Sequence, residues 1–378
     1  MQAVRIHEHG DVGILQYEFA PEPKPKIGEV LVQVKAAAMN HLDLWVRRGV
    51  PGVPLPMILG SDGAGVITEI GDDVTQFRVG DNVCIQPLTY CGHCRFCSRG
   101  QENYCDTIGF LGETQDGTNC EYIAIPEGNV RLKPAHISFE EAAAFPLTSQ
   151  TAYGMLIHRS KIEPGETVLV WGASSGVGTM AIQIAKTKGC RVIATGSTEK
   201  KRIHAAAIGA DLVLDHHNDE IAQSVKSFTE GRGVDVVFEH VGKATWETSI
   251  RILGKGGRLV TCGATTGPKV GIDIRHLFSK QQTILGSTMG NVAAFDECLS
   301  LVSAGKIKPI IDRTFRFNEV KEAHEHLENG QQIGKIILLP ECSTINIYLS
   351  ASMSAGKQAP KEIAPEMVVK KSACGLSN

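Results

Sequence analysis

The chain has 378 residues, 42% of them hydrophobic and 21% charged, with 38 Lys and Arg against 41 Asp and Glu. Single cores stop growing near roughly 250–300 residues, so two domains with a cleft between them are expected. A formal charge of −3 with both signs interspersed offers no field for nucleic acid or an anionic bilayer, and no apolar run approaches the roughly 20 residues that span one.

The expected partner is therefore a small molecule, with no nucleic acid and no membrane. The start, MQAVRIHEHGDVGIL, lacks the basic-then-apolar pattern of an export signal. Of eleven cysteines, seven are scattered singly, which is not a secreted disulfide framework; a cytoplasmic protein with reduced thiols is expected.

Residues 1–130 are rich in Gly and Pro, and EVLVQVKA places Val30, Val32 and Val34 on one face of a strand. An irregular β domain is expected there. Within it, Cys91, Cys94, Cys97 and Cys105 follow the spacing Cys-x2-Cys-x2-Cys-x7-Cys, enough thiolates to close a tetrahedral shell with no open position. All-sulfur ligation favours one structural zinc ion, although spacing alone also suits iron. Such a metal staples a loop and binds no substrate.

Near residue 138 the texture changes. Ser138 stands three residues before Glu141, a capping box opening a helical stretch that Pro146 interrupts. The runs TVLVWG, RVIATG, LVLD, VDVVFEH, GRLVTCG and TILGS then alternate with helix-like spans, which predicts buried parallel strands joined by crossover helices.

In VLVWGASSGVGTMAIQIAK, Gly172, Gly176 and Gly178 fall between a strand and a helix. They allow a tight turn, close approach of backbone N–H groups to a pyrophosphate, and close helix packing, so Gly172, Ser174, Ser175, Gly176, Val177 and Gly178 are expected to bind a dinucleotide. The next strand ends at Gly196 without an acid for the ribose, and Ser197, Thr198, Lys200, Lys201 and Arg202 follow. Hydroxyls and cations attract a 2′-phosphate, so NADPH is expected over NADH, with Ser197 and Lys201 among its contacts. His240, at the end of VVFEH, faces the same side. After GNVAAFDECLSLVSAGK the β texture returns and closes with GKIILLP at 334–340.

LGSDGAGVI, the cysteine loop, FPLTSQTAYGML, GASSGVG, CGATTG and GKIILLP together resemble the medium-chain dehydrogenase/reductase superfamily. The resemblance implies an α/β fold: a GroES-like β-rich catalytic domain over 1–146, completed by 289–340, plus a Rossmann doubly wound parallel sheet over 147–288, usually as a homodimer or homotetramer. Residues 341–378, polar and low in aromatics, are expected to be a mobile tail. Thr151, Gly263, Ala264 and Thr265 match segments that approach the nicotinamide.

Zinc alcohol dehydrogenases of that family hold a second, reactive metal at positions that here look like Asn40, Ser61 and Leu147, and Leu42 stands in their hydroxyl relay. Leucine cannot ligate zinc, and an amide or hydroxyl does so weakly. Asn40, His41 and Asp43 are the expected catalytic groups: an amide donor to a carbonyl, and a His–Asp pair that relays a proton. Asp62 with His41 and Asp43 is also a possible displaced metal site, and Arg47 and Arg48 are candidates for an anionic substrate.

The expected activity is NADPH-dependent reduction of small activated carbonyl compounds (enones, enals, quinones) by hydride transfer. The alternatives are a zinc-type alcohol dehydrogenase with unusual ligands, and a crystallin-like or nucleic-acid-binding relative without turnover.

Overall fold

The computed structural model describes residues 1–341; the tail expected over 341–378 lies, from residue 342 on, outside the described residues. Six parallel strands form one sheet in the order Leu212–Leu214, Arg191–Thr195, Thr167–Val170, Val234–Glu239, Leu253–Thr261, Thr283–Gly286. The chain winds outward in both directions from Thr167–Val170, so a crevice opens at the C-terminal ends of the central strands, as in a Rossmann fold.

Period-two alternation explains why the central runs are mostly apolar. Val168 and Val170 join a core cluster containing Phe145, Phe238 and Phe295, whereas Leu169 and Trp171 join one containing Ile193, Val237 and Leu259 on the opposite face. Both faces of the central strands Thr167–Val170 and Val234–Glu239 are covered, which leaves few polar positions there.

The second large sheet is a β domain centred on Glu29–Ala38, which pairs with Asp62–Ile70, Tyr122–Pro126 and Lys335–Leu339. Val30, Val32 and Val34 share one core with Ile67, Ile123 and Ile125, as their alternation predicts. A register shift between Val34 and Ala36 then turns the strand over, and Ala36 and Ala38 pack into the cluster that contains Val170.

Two connections bring the sheets together. Ser138 and Glu141 cap one another's backbone at 3.1 and 2.9 Å, opening the helix Phe139–Ala143, and Pro146 starts a new helix, Pro146–Tyr153, where its missing N–H costs nothing. Farther on, Gly334 N–H donates to Ser174 O at 2.8 Å, so the strand Lys335–Leu339 enters the β sheet directly from the glycine loop. Among the described residues, no helix is long and apolar enough to cross a membrane.

Candidate active site

The four thiols of Cys91, Cys94, Cys97 and Cys105 lie within 4.8 Å of one another, and they are the only such group of three or more His, Cys, Asp or Glu among the described residues. Backbone N–H groups of Cys91, Cys94 and Thr107 point at sulfur from 3.3 to 3.4 Å, which favours thiolates. Four ligands of one kind fit a structural zinc and leave it no vacancy.

The glycine loop is built by backbone constraint. Gly172 has a φ of 55°, and a Cβ there would stand 3.1 Å from the His240 ring; that ring is held by a 2.8 Å hydrogen bond with Trp171 O. Ser175 caps the helix Gly176–Thr187 by accepting from Gly178 N–H at 3.0 Å, which leaves other first-turn N–H groups facing the crevice. A Cβ on Gly178 would lie 2.6 Å from Gly172 O. Gly178→Ala is therefore expected to weaken NAD(P)H binding about tenfold or more, a cost of ~1.4 kcal/mol, in a fluorescence titration. Gly271→Ala, where a Cβ meets nothing within 4 Å among the described residues, should leave it unchanged.

Between the two sheets lies an open cleft of about 220 Å³. Thr151, Ser175, Gly176, Val177, Gly263 and Thr265 line it, as do His41, Leu42, Trp45, Phe110 and Leu147. Gly172, Ser174 and Gly178 shape the loop behind it, and Ala264 packs against Gly242 instead. Gln332, 6% exposed, lines the cleft with its Oε1 unpartnered among the described residues, an acceptor suited to a ribose hydroxyl. The glycine loop, the helix N-terminus and this orphan oxygen fit a dinucleotide.

The most charged feature of the cleft was not among the expected site residues. Lys335, 3% exposed, donates to Asp62 Oδ2 at 2.8 Å and to Asn40 Oδ1. Asn40 Nδ2 closes the triangle at 2.9 Å from Asp62 Oδ2, and Asp62 Oδ1 accepts from Leu147 N–H at 2.8 Å. An ammonium has three donors and two are used among the described residues, which leaves one for the cleft. The Lys335 stem crosses Gly176, where a Cβ would meet its Cδ at 2.8 Å.

Several expectations are corrected by this network. Asn40 Oδ1 accepts from Lys335, and its Nδ2 donates to Asp62 Oδ2 and, at 3.5 Å, to Ala38 O, so the amide is not a free donor to a carbonyl. Asp43 is 2% exposed and its carboxylate accepts from Asn40 N–H at 2.6 Å, closing the cap of the helix His41–Gly49; among the described residues no hydrogen bond joins it to His41. Burial raises the Asp43 carboxyl to about 6 and lowers the His41 imidazole to about 4. Asp62, His41 and Asp43 do not gather as a metal site, because a lysine holds the aspartate.

The three positions resembling zinc ligands fit no reactive metal. Asn40 faces a cation, Ser61 Oγ donates to Leu111 O at 2.8 Å, and Leu147 presents a hydrocarbon.

Farther along, Lys201 donates to Gly330 O, and Arg202 pairs with Asp215 at 2.7 Å. Of the three cations expected at a 2′-phosphate, two thus have partners within the chain. Ser197 is half-buried just beyond the strand end.

Arg47 is also corrected. It is 2% exposed, paired with Glu328 and 3.3 Å from His324 Nδ1, beyond reach of any substrate. A ring nitrogen that accepts from a guanidinium keeps the imidazole neutral, and burial, reinforced by Arg47 and Arg48, lowers His324 to about 3. A depressed folded value means stability that is whole above the ordinary 6.5 and is lost as pH falls toward 3. His324→Gln, which keeps an acceptor, is expected to flatten the acid limb of unfolding stability by roughly 1.4 kcal/mol per pH unit below 6.5, read by urea titration from pH 7 to 4.

Comparison with known proteins agrees with this geometry. The alcohol dehydrogenase GroES-like domain matches residues 26–135 and the zinc-binding dehydrogenase family residues 176–304. An NAD-dependent alcohol dehydrogenase of Sulfurisphaera tokodaii is 33% identical over 90% of this chain and 100% of its own length. A crotonyl-CoA carboxylase/reductase of Cereibacter sphaeroides is 31% identical over 94% of this chain and 91% of its own. The crystal structure of an NAD-dependent alcohol dehydrogenase superposes with a TM-score of 0.87 at 41% identity, covering 90% of this chain and 99% of that one. With both domains matched and the glycine loop and four-cysteine loop in place, the chain belongs to the medium-chain dehydrogenase/reductase superfamily and is an NAD(P)-dependent oxidoreductase.

Proposed function

We propose that this enzyme reduces small activated carbonyl compounds (enones, enals, quinones or α,β-unsaturated thioesters) with NADPH, using no metal at the substrate. The observation that carries this is the Lys335 ammonium held between Asn40 and Asp62, where an alcohol dehydrogenase would need zinc ligands. Alcohol oxidation needs a Lewis acid to make alkoxide accessible, whereas hydride addition to a polarised alkene needs orientation and a donor to the carbonyl oxygen. The relative named a crotonyl-CoA carboxylase/reductase supports the acceptor class, and those named NAD-dependent alcohol dehydrogenases are the reason to test it.

Bound in the crevice, the nicotinamide supplies the hydride. Leu42, Trp45, Phe110 and Leu147 give the substrate an apolar wall, and neutral His41 offers an N–H to the oxygen on which charge develops. Lys335 holds Asn40 and Asp62 and keeps its third proton for a cofactor phosphate or the substrate oxygen. NADPH is favoured because Gly196 ends its strand without an acid, and both oxygens of nearby Asp215 are engaged by Arg202, Asn218 and His217. Self-association as a homodimer or homotetramer is part of this reading: the edge strand Thr283–Gly286 leaves Ile284 exposed, close in sequence to exposed Ile272, Ile274 and Phe278.

The test is NADPH consumption with a panel of enones, enals, quinones and crotonyl-CoA, set against NAD⁺ reduction with primary and secondary alcohols. Turnover confined to the alcohols would overturn the reading.

A further inference from the structure

We propose that the four-cysteine loop is a specificity device: through Gly100 and Glu102 it positions Met289, a wall of the reaction cleft. This rests on the reductase reading only for its kinetic test. Met289 is 6% exposed and lines the cleft beside Thr288, with a φ of 52°. A long non-glycine side chain in the left-handed region is strained, and persists only where its surroundings over-determine it.

Two sets of contacts do so. From one side comes the helix Pro146–Tyr153. Buried Gln150 donates to Gly290 O and Asn291 O at 3.0 Å, Thr151 Oγ1 lies 3.2 Å from Met289 Sδ, and Gly154 approaches so closely that a Cβ would be 2.4 Å from Met289 O.

From the other side comes the cysteine loop. Asn291 Nδ2 donates to Gly100 O at 2.6 Å, and Val292 N–H donates to Glu102 Oε2 at 3.2 Å. Arg159 ties Tyr104 OH, at 3.0 Å, to Gly286 O, at 2.8 Å. These loop atoms are themselves fixed by the thiol ligands' backbone: Gly100 N–H donates to Cys97 O at 3.0 Å and Cys105 N–H to Glu102 O at 2.9 Å. Four thiolates on one ion thus set the place of segment 286–292. That segment carries Met289 into the cleft. Among the described residues, Glu102 and Asn291 do not line the cleft, so they are positioning residues.

The substitutions that isolate the link keep everything else. Asn291 also caps the helix Val292–Ser303 through Oδ1, 3.0 Å from Ala294 N, so Asn291→Ser retains a capping oxygen and loses the reach to Gly100. Glu102→Ala removes the second tie, and Glu102→Gln keeps an acceptor and should behave as the parent. In Asn291→Ser and Glu102→Ala holoenzymes, the ratio of kcat/KM for a bulky enone to that for a small one is expected to change about fivefold to tenfold, with zinc content and NADPH affinity unchanged. Met289→Ala should shift the same ratio, and adding Glu102→Ala to it should change the ratio no further.

The second readout needs no turnover: the ¹³C-methyl resonance of Met289, assigned by Met289→Leu, should move or broaden in Asn291→Ser and Glu102→Ala and not in Glu102→Gln. An unmoved methyl signal, or selectivity effects of Glu102→Ala and Met289→Ala that simply add, would overturn the proposal. If no acceptor is turned over at all, the reductase reading fails and the methyl signal decides this one alone.

Discussion

Lys335→Met is expected to lower the free energy of unfolding by about 3–5 kcal/mol, because it leaves the Asp62 carboxylate buried without its counter-charge. Asp62 is fully buried, and among the described residues its carboxylate has three donors: Lys335 and Asn40 on one oxygen and Leu147 N–H on the other. Without Lys335, two neutral donors remain against a full charge. Pairing Lys335→Met with Asp62→Asn should restore most of the loss, since asparagine keeps an acceptor for Leu147 N–H and removes the charge. Urea denaturation of the two singles and the double reads both effects. If Lys335→Met costs no more than a surface substitution, the ammonium does not neutralise Asp62.

His41→Phe is expected to lower kcat by about a hundredfold with a smaller change in KM, the size of effect seen when one donor to a developing oxyanion is removed. His41 lines the cleft beside Trp45, with ring centroids 6.4 Å apart and the rings tilted by 53°. Burial first, then the neighbouring His240, Lys335 and Arg48, hold its imidazole down to about 4. It is therefore neutral from about pH 5 upward, able to donate an N–H but not to act as a strong acid. The sign follows: kcat should show no limb near pH 6.5 in the parent, and only below about pH 5 should protonation of His41 alter the rate. A limb near 6.5 that His41→Phe abolishes would assign the ring as a general acid instead.

Much of the architecture is legible in the amino-acid order because it is set by local pattern. The apolar runs from TVLVWG to TILGS, the Ser138–Glu141 box and the cysteine spacing each carry a short-range physical signal, and each appears as read. The site is less so, for the opposite reason. Lys335 and Asp62 are 273 residues apart, and no periodicity relates them; the signal available was a lone lysine heading the apolar run KIILL, where a charge must find a buried partner.

Local reading also misjudged residues with distant partners. Arg47, a candidate for an anionic substrate, is instead met by Glu328 and His324 across 281 and 277 residues, and Asp43, the expected partner of its neighbour His41, closes the helix cap. Met289 gave no sign at all, since its strain comes from the two elements that clamp it.

The central claim is that the one metal in this enzyme staples a loop and that none touches the substrate. The direct measurement is zinc per chain by mass spectrometry on protein dialysed against a mild chelator, with NADPH-dependent enone reduction assayed on the same sample. About one zinc per chain with full activity is predicted. Two zinc ions per chain before dialysis, with activity that disappears on losing one and returns when zinc is added, would contradict it.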